Sequence, residues 1–184
     1  TCALPISTSY DPKTYEQVNN LYILDSLLNV TGKVEGLAPG EQIYAVRFTG
    51  DTGYVVTFET MDPLFVLDLS DPANPRVTGE LKIPGFSNYL HPIDEGTVLG
   101  IGRDTQEIFT RDSTGRETVI GVQTGGIKLS LFDVSDPAAP VEKAVLTFGA
   151  DSSAYADVLS DHRALMVDQN NSIVGFTLQE GYGS

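Results

Sequence analysis

Short runs of β-branched and apolar residues, separated by turn residues, follow one another along most of the chain. Residues 43–48 and 54–58 are two such runs, and the intervening Thr-Gly-Asp-Thr-Gly is typical of a hairpin turn. Residues 64–69 form a nearly continuous apolar run, which is typical of a strand covered on both faces. Residues 76–83 alternate apolar with other positions, which indicates a half-exposed outer strand. The pattern predicts four strands in about 43 residues.

One phrase of the sequence occurs twice. Residues 64–75 read LFVLDLSDPANP, and residues 129–140, 65 positions later, read LSLFDVSDPAAP. A weaker copy, LYILD at residues 21–25, lies 43 positions before the first. A fixed period of this size indicates one structural unit copied several times, and four strands in such a period match a β-propeller blade. A stacked solenoid is the main alternative.

The next units follow the same scheme with one insertion. The 22 additional residues of the 65-residue spacing fall around residues 103–126, which we interpret as an extended hairpin or loop projecting from the sheet. No convincing amphipathic helix is present, and the best candidate, residues 13–20, is short and polar. The further predicted strands are residues 86–90, 97–101, 127–134, 141–148, 154–159, 164–167 and 173–178.

The predicted fold class is therefore all-β, an incomplete β-propeller ring with about three to four blades of four antiparallel strands. The blades are residues 8–41 (partial), 42–85, 86–149 with an insertion at 104–125, and 150–184 (partial). Residues 1–7 are excluded, because TCALPI resembles the translation of a common sequencing-adapter oligonucleotide. We interpret the sequence as a piece of a longer gene.

Charge and composition exclude several kinds of partner and site. Eleven basic residues stand against 25 acidic ones, for a net charge of −14. Such a charge repels phosphate backbones and anionic membranes, so we expect no nucleic-acid partner. No run of 18 apolar residues exists, so we expect no membrane-spanning segment in this stretch. Apart from Cys2 the chain has no cysteine, so we expect no disulfide or zinc-thiolate site beyond it.

The repeated Asp-x-Ser-Asp-Pro-x-x-Pro corner has a structural interpretation. Proline suits the second position of a turn, an aspartate before it accepts backbone N–H bonds, and a closing proline suits the entrance to an edge strand. The alternative is a calcium site, but each corner offers only two or three acidic oxygen groups where calcium takes about six or more oxygens. The corner residues are Asp68, Asp71, Pro72 and Pro75 in one copy and Asp133, Asp136, Pro137 and Pro140 in the other.

The two histidines are candidates for a binding site. His91 lies between the first two strands of its blade, and His162 lies at the matching position of the next blade. Matching corners of neighbouring blades share one face of a propeller, so the two imidazoles could meet beside Asp94 and Asp161 and form a metal or acid–base site. The simpler interpretation is that each histidine ties its own hairpin to the adjacent blade.

Arg103 and Asp104 open the insertion and are the remaining candidate ligand-binding residues, because loops on a rigid scaffold often carry function. Gly-x-Ser-x-Gly, His-Glu-x-x-His and phosphate-loop motifs are all missing. The chain also has no tryptophan, so the Trp-Asp signature of WD40 blades is missing.

Several stretches in combination resemble a family of prokaryotic secreted proteins with a C-terminal β-propeller domain. The resemblance implies a propeller, export from the cell and often surface attachment; it implies no established activity and no catalytic residues. The matching stretches are residues 36–41, 61–75, 79–86, 89–94, 100–103 and 128–137, with 161–164 also suiting the family.

These observations lead to one main functional hypothesis and two alternatives. We expect a non-enzymatic extracellular or cell-envelope module that binds a protein, glycan or surface ligand and needs no cofactor. The first alternative is a metal-assisted hydrolase that uses the central mouth of the ring. The second is a purely structural role in envelope packing.

Overall fold

The computed structural model describes residues 6–58, 62–149 and 151–180, and within them regular secondary structure is almost entirely antiparallel β. Of residues 1–7, which the sequence analysis set aside, Thr1–Pro5 fall outside the described residues. Ile6 and Ser7 lie in the first strand, opposite Leu21 and Asn20. The sheets follow one another in chain order and form an unclosed arc, so the predicted incomplete propeller is confirmed.

The first sheet has three strands and the next two have four each, with every strand beside its sequence neighbour. The first sheet contains β1 (Ile6–Tyr10), β2 (Gln17–Leu24) and β3 (Val30–Leu37). The second contains β4 (Gln42–Thr49), β5 (Thr52–Phe58), β6 (Asp62–Asp68) and β7 (Arg76–Ile83). The third contains β8 (Phe86–Pro92), β9 (Thr97–Arg111), β10 (Glu117–Asp133) and β11 (Val141–Phe148). The fourth has only β12 (Met166–Asp168) and β13 (Ile173–Gly175).

The apolar runs of β5 and β6 are continuous because both faces of their sheet are buried. Successive side chains of a strand point to opposite faces. Val55, Phe65 and Leu67 pack toward the first sheet, against Leu21 and Ile23. The alternate residues pack toward the third sheet, where Tyr54, Val56, Leu64 and Val66 meet Leu90, Val98 and Phe132. The second sheet is thus held by the hydrophobic effect on two sides.

The corners of the repeat join each sheet to the preceding one. A Cβ placed on Gly32 of β3 would lie 2.1 Å from the Pro72 carbonyl oxygen and 2.7 Å from Pro75 Cδ. One placed on Gly79 of β7 would lie 2.1 Å from the Pro137 oxygen and 2.8 Å from Pro140 Cδ. The proline corner therefore rests directly on the backbone of the neighbouring outer strand, where only glycine leaves room.

The segment that follows the third sheet differs from the predicted strand at residues 154–159. Ala154, Ala156 and Val158 are buried against β9 and β10, but the backbone forms a 3-10 helix at Asp157–Leu159. A second 3-10 helix spans His162–Ala164. The strand prediction was wrong because apolar residues at every second position can also be buried by a turn, as they are here. Residues 13–20, which the sequence did not convincingly predict as a helix, indeed form none, since Gln17 begins β2.

Candidate functional site

The insertion of the third sheet forms a two-stranded antiparallel ribbon. Beyond Arg103, β9 pairs only with β10, from Thr105 opposite Thr124 to Arg111 opposite Glu117. The outer neighbours stop at its base, where Phe86 pairs with Arg103 and Phe148 with Ile127. We call residues 104–124 the ribbon. The extended hairpin expected from the sequence is present, and within the described part of the chain both ribbon edges lack a pairing strand.

Apolar side chains of the ribbon face solvent. Phe109 and Val119 form a cross-strand pair, 52% and 41% exposed, next to Ile108 at 42%. Ile120 is the extra residue of a β-bulge between Val119 and Gly121 and is 64% exposed. A bulge turns its side chain away from the regular pleat. The ribbon therefore presents four large hydrophobic side chains on a projection that continues two strands of the third sheet.

Arg103 fixes the base of the ribbon. Its guanidinium donates to the carbonyl oxygens of Gly125 at 3.4 Å, Ser152 at 3.3 Å and Ala154 at 2.9 Å. On the other side of the base, the Gly85 amide donates to Thr105 Oγ1 at 2.7 Å. Asp104 follows Arg103 in β9, where its backbone approaches Gly125. Arg103 thus ties the ribbon to the segment that leaves the third sheet.

His91 and His162 both lie against Tyr89. The Tyr89 hydroxyl is hydrogen-bonded to His91 Nδ1 at 3.0 Å, and the His162 ring stacks on the Tyr89 ring with centroids 6.0 Å apart. Burial, and secondarily the charge of Arg47, lower the pKa of His91. Tyr89 was not among the site residues predicted from the sequence. Its position two residues before His91 in a strand, on the same face, was the available signal.

The two candidate aspartates accept hydrogen bonds from residues of their own loops. Asp94 Oδ1 accepts from the Gly96 amide at 2.9 Å. Asp161 accepts from the amide, Nε and Nη2 of Arg163 at 2.9–3.0 Å. These hydrogen bonds from Arg163 lower the pKa of Asp161 to about 2.

The candidate residues fall into two groups at opposite ends of the third sheet. His91 and Asp94 lie at the end where β8 passes into β9, and Arg103 and Asp104 lie where β9 enters the ribbon. Arg103 lies six residues along β9 from Thr97, which begins the strand after the Asp94 turn. The two ends of the sheet are therefore roughly 20 Å apart. A single ligand pocket does not combine both groups.

A cleft of about 490 Å³ lies beside the histidine end, between the third sheet and the fourth. Gln169 spans it and donates to the Ile93 carbonyl at 2.9 Å. Its walls are mainly apolar, with Asp94 and Asp168 as the carboxylates. The other main lining residues are Ile93, Leu131, Val167, Ile173 and Val174.

The corner carboxylates are engaged by donors of their own corners. Asp68 Oδ1 accepts from the amide and hydroxyl of Ser70, and Asp133 does the same with Ser135. Asp71 and Asp136 accept amides two residues on, from Ala73 and Ala138. Pro75 and Pro140 stand directly before β7 and β11. Among the described residues, no group of three or more His, Cys, Asp or Glu side chains is placed to hold a metal ion.

The four-stranded antiparallel units, packed face to face in chain order, define this chain as a β-propeller protein. The sequence model of the beta propeller domain matches residues 3–184, and the chain belongs to that family.

Two curated relatives are uncharacterized archaeal proteins. One, from Archaeoglobus fulgidus, is 48% identical over 155 residues, which cover 84% of this chain and 22% of the relative. The other, from Methanocaldococcus jannaschii, is 50% identical over 127 residues, covering 69% of this chain and 18% of the relative. The chain thus spans about a fifth of the length of these relatives. No helix in the described ranges has the length and hydropathy to cross a bilayer.

Proposed function

We propose that this chain is a non-enzymatic binding module of the extracellular space or cell envelope, and that the ribbon contacts its partner. The observation that carries the proposal is the exposure of Ile108, Phe109, Val119 and Ile120 on a ribbon that projects from the third sheet. Clustered exposed apolar side chains on a soluble scaffold mark interaction surfaces.

The ribbon suits a protein partner best. Both of its edges offer backbone N–H and C=O groups that a strand of another protein can pair with. Its tip carries Arg111 and Arg116 against Asp112 and Glu117, so residues 108–122 are electrically neutral in a chain of net charge −14. The tip is therefore the part of this acidic molecule that approaches another acidic surface with little repulsion.

The histidine end favours a binding module over a metal-assisted hydrolase. Asp161 is held by three hydrogen bonds from Arg163, and His91 is held by the Tyr89 hydroxyl. Metal analysis of protein purified without chelator separates the two functions. A stoichiometric metal whose loss follows substitution of His91 or His162 would support the hydrolase.

The acidic charge and the resemblance to secreted propeller proteins support the proposed location. Net charge far from zero keeps a protein soluble, which suits an exported protein. The occupant we propose is accordingly a protein of the cell envelope, and a glycan is the competing outcome.

The experiment removes the ribbon and leaves its base intact. Thr105 and Thr124 are paired, so an Asn-Gly turn placed between them closes the hairpin in place of residues 106–123. The assay is cosedimentation with cell envelopes isolated from Archaeoglobus fulgidus, the source of one relative. We expect the shortened variant to lose at least about tenfold in affinity, since removing a binding hot spot costs about 2 kcal/mol or more.

Matched point variants and treated envelopes make the result specific. Ile120→Lys is expected to weaken binding, while Thr110→Lys, an exposed change on the same ribbon, is expected to leave it nearly unchanged. Protease treatment of the envelopes is expected to abolish binding. Binding that survives protease treatment but not glycosidase treatment would assign a glycan ligand, and undiminished binding by the shortened variant would contradict the proposal.

A further inference from the structure

The two edges of the ribbon differ in regularity. The β10 edge contains the bulge at Ile120, between Val119 and Gly121. A bulge interrupts the regular spacing of backbone N–H and C=O groups, and it hinders the pairing of an edge with a further strand. β9, in contrast, has one partner residue for each of its own residues from Thr105 to Arg111. The β9 edge of the ribbon is therefore the one to which another strand can be added in register.

The backbone of β9 shows which of its residues point to that edge. Successive residues of an antiparallel strand direct their N–H and C=O groups to opposite sides. The Asp112 amide donates to the Arg116 carbonyl at 3.0 Å, and the Val134 amide donates to the Gly96 carbonyl at 2.8 Å. Arg116 and Val134 directly flank β10, so even-numbered residues of β9 face β10 at both of its ends. The residues whose backbone groups point away from β10 are therefore the odd-numbered Glu107, Phe109 and Arg111.

These three residues form a self-complementary pattern. An acidic, an aromatic and a basic residue follow one another at every second position. When a second β9 lies antiparallel beside the first with the two Phe109 residues opposite each other, each Glu107 lies opposite Arg111 of the other copy. Directly opposed residues of opposite charge stabilise an antiparallel pair, and opposed aromatic residues do so as well. The outward N–H and C=O groups of the two strands meet in the same register.

We propose that two copies of this chain pair along the β9 edges of their ribbons, about a two-fold axis at Phe109. The contact is isologous, because both copies use the same residues. It joins two ribbons of two strands into one antiparallel sheet of four strands. A two-stranded ribbon is marginally stable by itself in water, whereas three or more strands with a hydrophobic face are stable.

The length of the β9 edge accommodates this register. At the base of the ribbon, the Gly85 amide donates to Thr105 Oγ1 at 2.7 Å, and β8 then pairs with β9 from Phe86 onward. At the tip, the turn begins at Asp112. The register uses residues 107–111 of each copy and so stays between these two limits.

Arg111 has donors for two acidic neighbours. It is already paired with Glu117 across the ribbon. A guanidinium carries five N–H donors, so Arg111 can bind Glu117 of its own chain and Glu107 of the second copy together.

The acidic bodies of the two copies stay apart in this arrangement. Arg103, at the base of the ribbon, lies six residues from the two-fold axis at Phe109. The two bases are therefore about 40 Å apart along the four-stranded sheet. The Debye length at physiological ionic strength is about 8 Å, so the repulsion between two chains of net charge −14 is largely screened.

The contact uses edges and leaves the faces of the ribbon exposed. Phe109 and Val119 are cross-strand neighbours, so pairing places four apolar side chains, two from each copy, in one row on one face. The row enlarges the apolar surface proposed above to contact an envelope protein. The inference does not rest on that function, because the pairing requires no envelope partner.

Exchange of the charges tests the register. Variant A is Glu107→Arg, and variant B is Arg111→Glu with Glu117→Arg, which keeps an ion pair across the ribbon. Either variant alone places like charges opposite one another, whereas a combined variant with all three changes restores opposite charges. Glu95→Arg, an exposed change of the same size in the turn before β9, is the matched control for variant A.

Sedimentation equilibrium without envelopes measures the association, and circular dichroism with thermal melting establishes that each variant is folded. We expect the wild type and Glu95→Arg to approach twice the 19.8 kDa mass of one chain as concentration increases. Variants A and B should each have a dissociation constant at least about tenfold higher, since the two-fold axis brings every changed residue into the contact twice. The combined variant should associate as the wild type does, and an equimolar mixture of A and B should form pairs.

Three results would overturn the proposal. The first is a wild type that stays monomeric up to millimolar concentration. The second is association of variants A and B as tight as that of the wild type, which would assign the contact to another surface. The third is weakened association that neither the combined variant nor the mixture restores, which would exclude the two-fold register at Phe109.

Discussion

The replacement of Gly79 by alanine tests the joint on which the arrangement of the sheets depends. The new Cβ would stand 2.1 Å from the Pro137 carbonyl oxygen and 2.8 Å from Pro140 Cδ. Ordinary contacts between such atoms are about 3.5 Å. The corner must therefore retreat by about 1 Å, and the third sheet must follow it.

The expected cost follows from two opposing terms. Forcing a methyl group into a packed site costs about 1–3 kcal/mol, and here the obstacle is backbone and a proline ring rather than a flexible side chain. Replacing a strand glycine by alanine returns about 0.5–1 kcal/mol through the unfolded state. Because the obstacle is stiff, the steric cost falls in the upper part of its range, about 2–3 kcal/mol. The net destabilisation is then about 1–2.5 kcal/mol, which lowers the melting temperature of a chain of this size by roughly 2–10 °C.

Urea unfolding monitored by circular dichroism measures this difference, with Gly121→Ala as the control. Gly121 is also in a strand, but a Cβ there would meet nothing within 4 Å. We expect Gly121→Ala to be neutral or slightly stabilising and Gly79→Ala to unfold at lower urea. Equal midpoints for the two variants would refute the close approach of the corner and the glycine.

Three further predictions concern charged groups. Lys128 is 6% exposed, and its Nζ lies 3.0 Å from Glu142 Oε1 and 2.6 Å from the Pro84 oxygen. Glu142→Gln removes the countercharge of this buried ammonium and should lower the free energy of unfolding in urea by about 1–3 kcal/mol. Unchanged stability would contradict the ion pair. Arg163 lowers the pKa of Asp161 from 3.8 to about 2, so its contribution to stability is present above pH 3.8 and lost as the pH falls through 2. Carboxyl NMR should show that midpoint, and Arg163→Gln should return it toward 3.8. Burial holds the pKa of His91 below 6.5, so the free energy of unfolding should fall as the pH drops below 6.5. Arg47→Gln should raise the His91 midpoint in a proton NMR titration, and an unchanged midpoint would exclude Arg47 as a cause.

Much of the fold was predictable because each repeat has the same apolar runs and the same proline corners. The run at residues 64–69 is apolar at every position but Asp68, and that pattern indicates a strand buried on both faces, as β6 is. The proline corners mark where one strand ends and the next begins. The segment after Phe148 was harder to predict, since its burial pattern arises from turns packed on β9 and β10 rather than from a strand.

The candidate site was less accessible from the sequence. The insertion was recognisable from the difference in spacing, but the exposure of Phe109 and Ile120 depends on where the neighbouring strands stop. The contact of His162 with Tyr89 joins a 3-10 helix to β8 over 73 positions. The matching positions of the two histidines indicated that His162 reaches the adjacent blade, but they did not identify Tyr89 as the residue it contacts. Arg103 was predicted as a candidate ligand-binding residue, yet its guanidinium donates to the backbone carbonyls of Gly125, Ser152 and Ala154. The last two lie 49 and 51 positions further along the chain, so the sequence gives no local signal for them.

Site-specific crosslinking tests most directly whether the ribbon is the contact surface. A photoreactive p-benzoylphenylalanine replaces Phe109 in one sample and Val77, an exposed residue of β7, in another, and both are irradiated with Archaeoglobus fulgidus envelopes. We expect position 109 to form a discrete protein adduct that excess unlabelled wild type suppresses, and position 77 to form none. An adduct from position 77 alone, or none that wild type competes away, would contradict the assignment of partner binding to the ribbon.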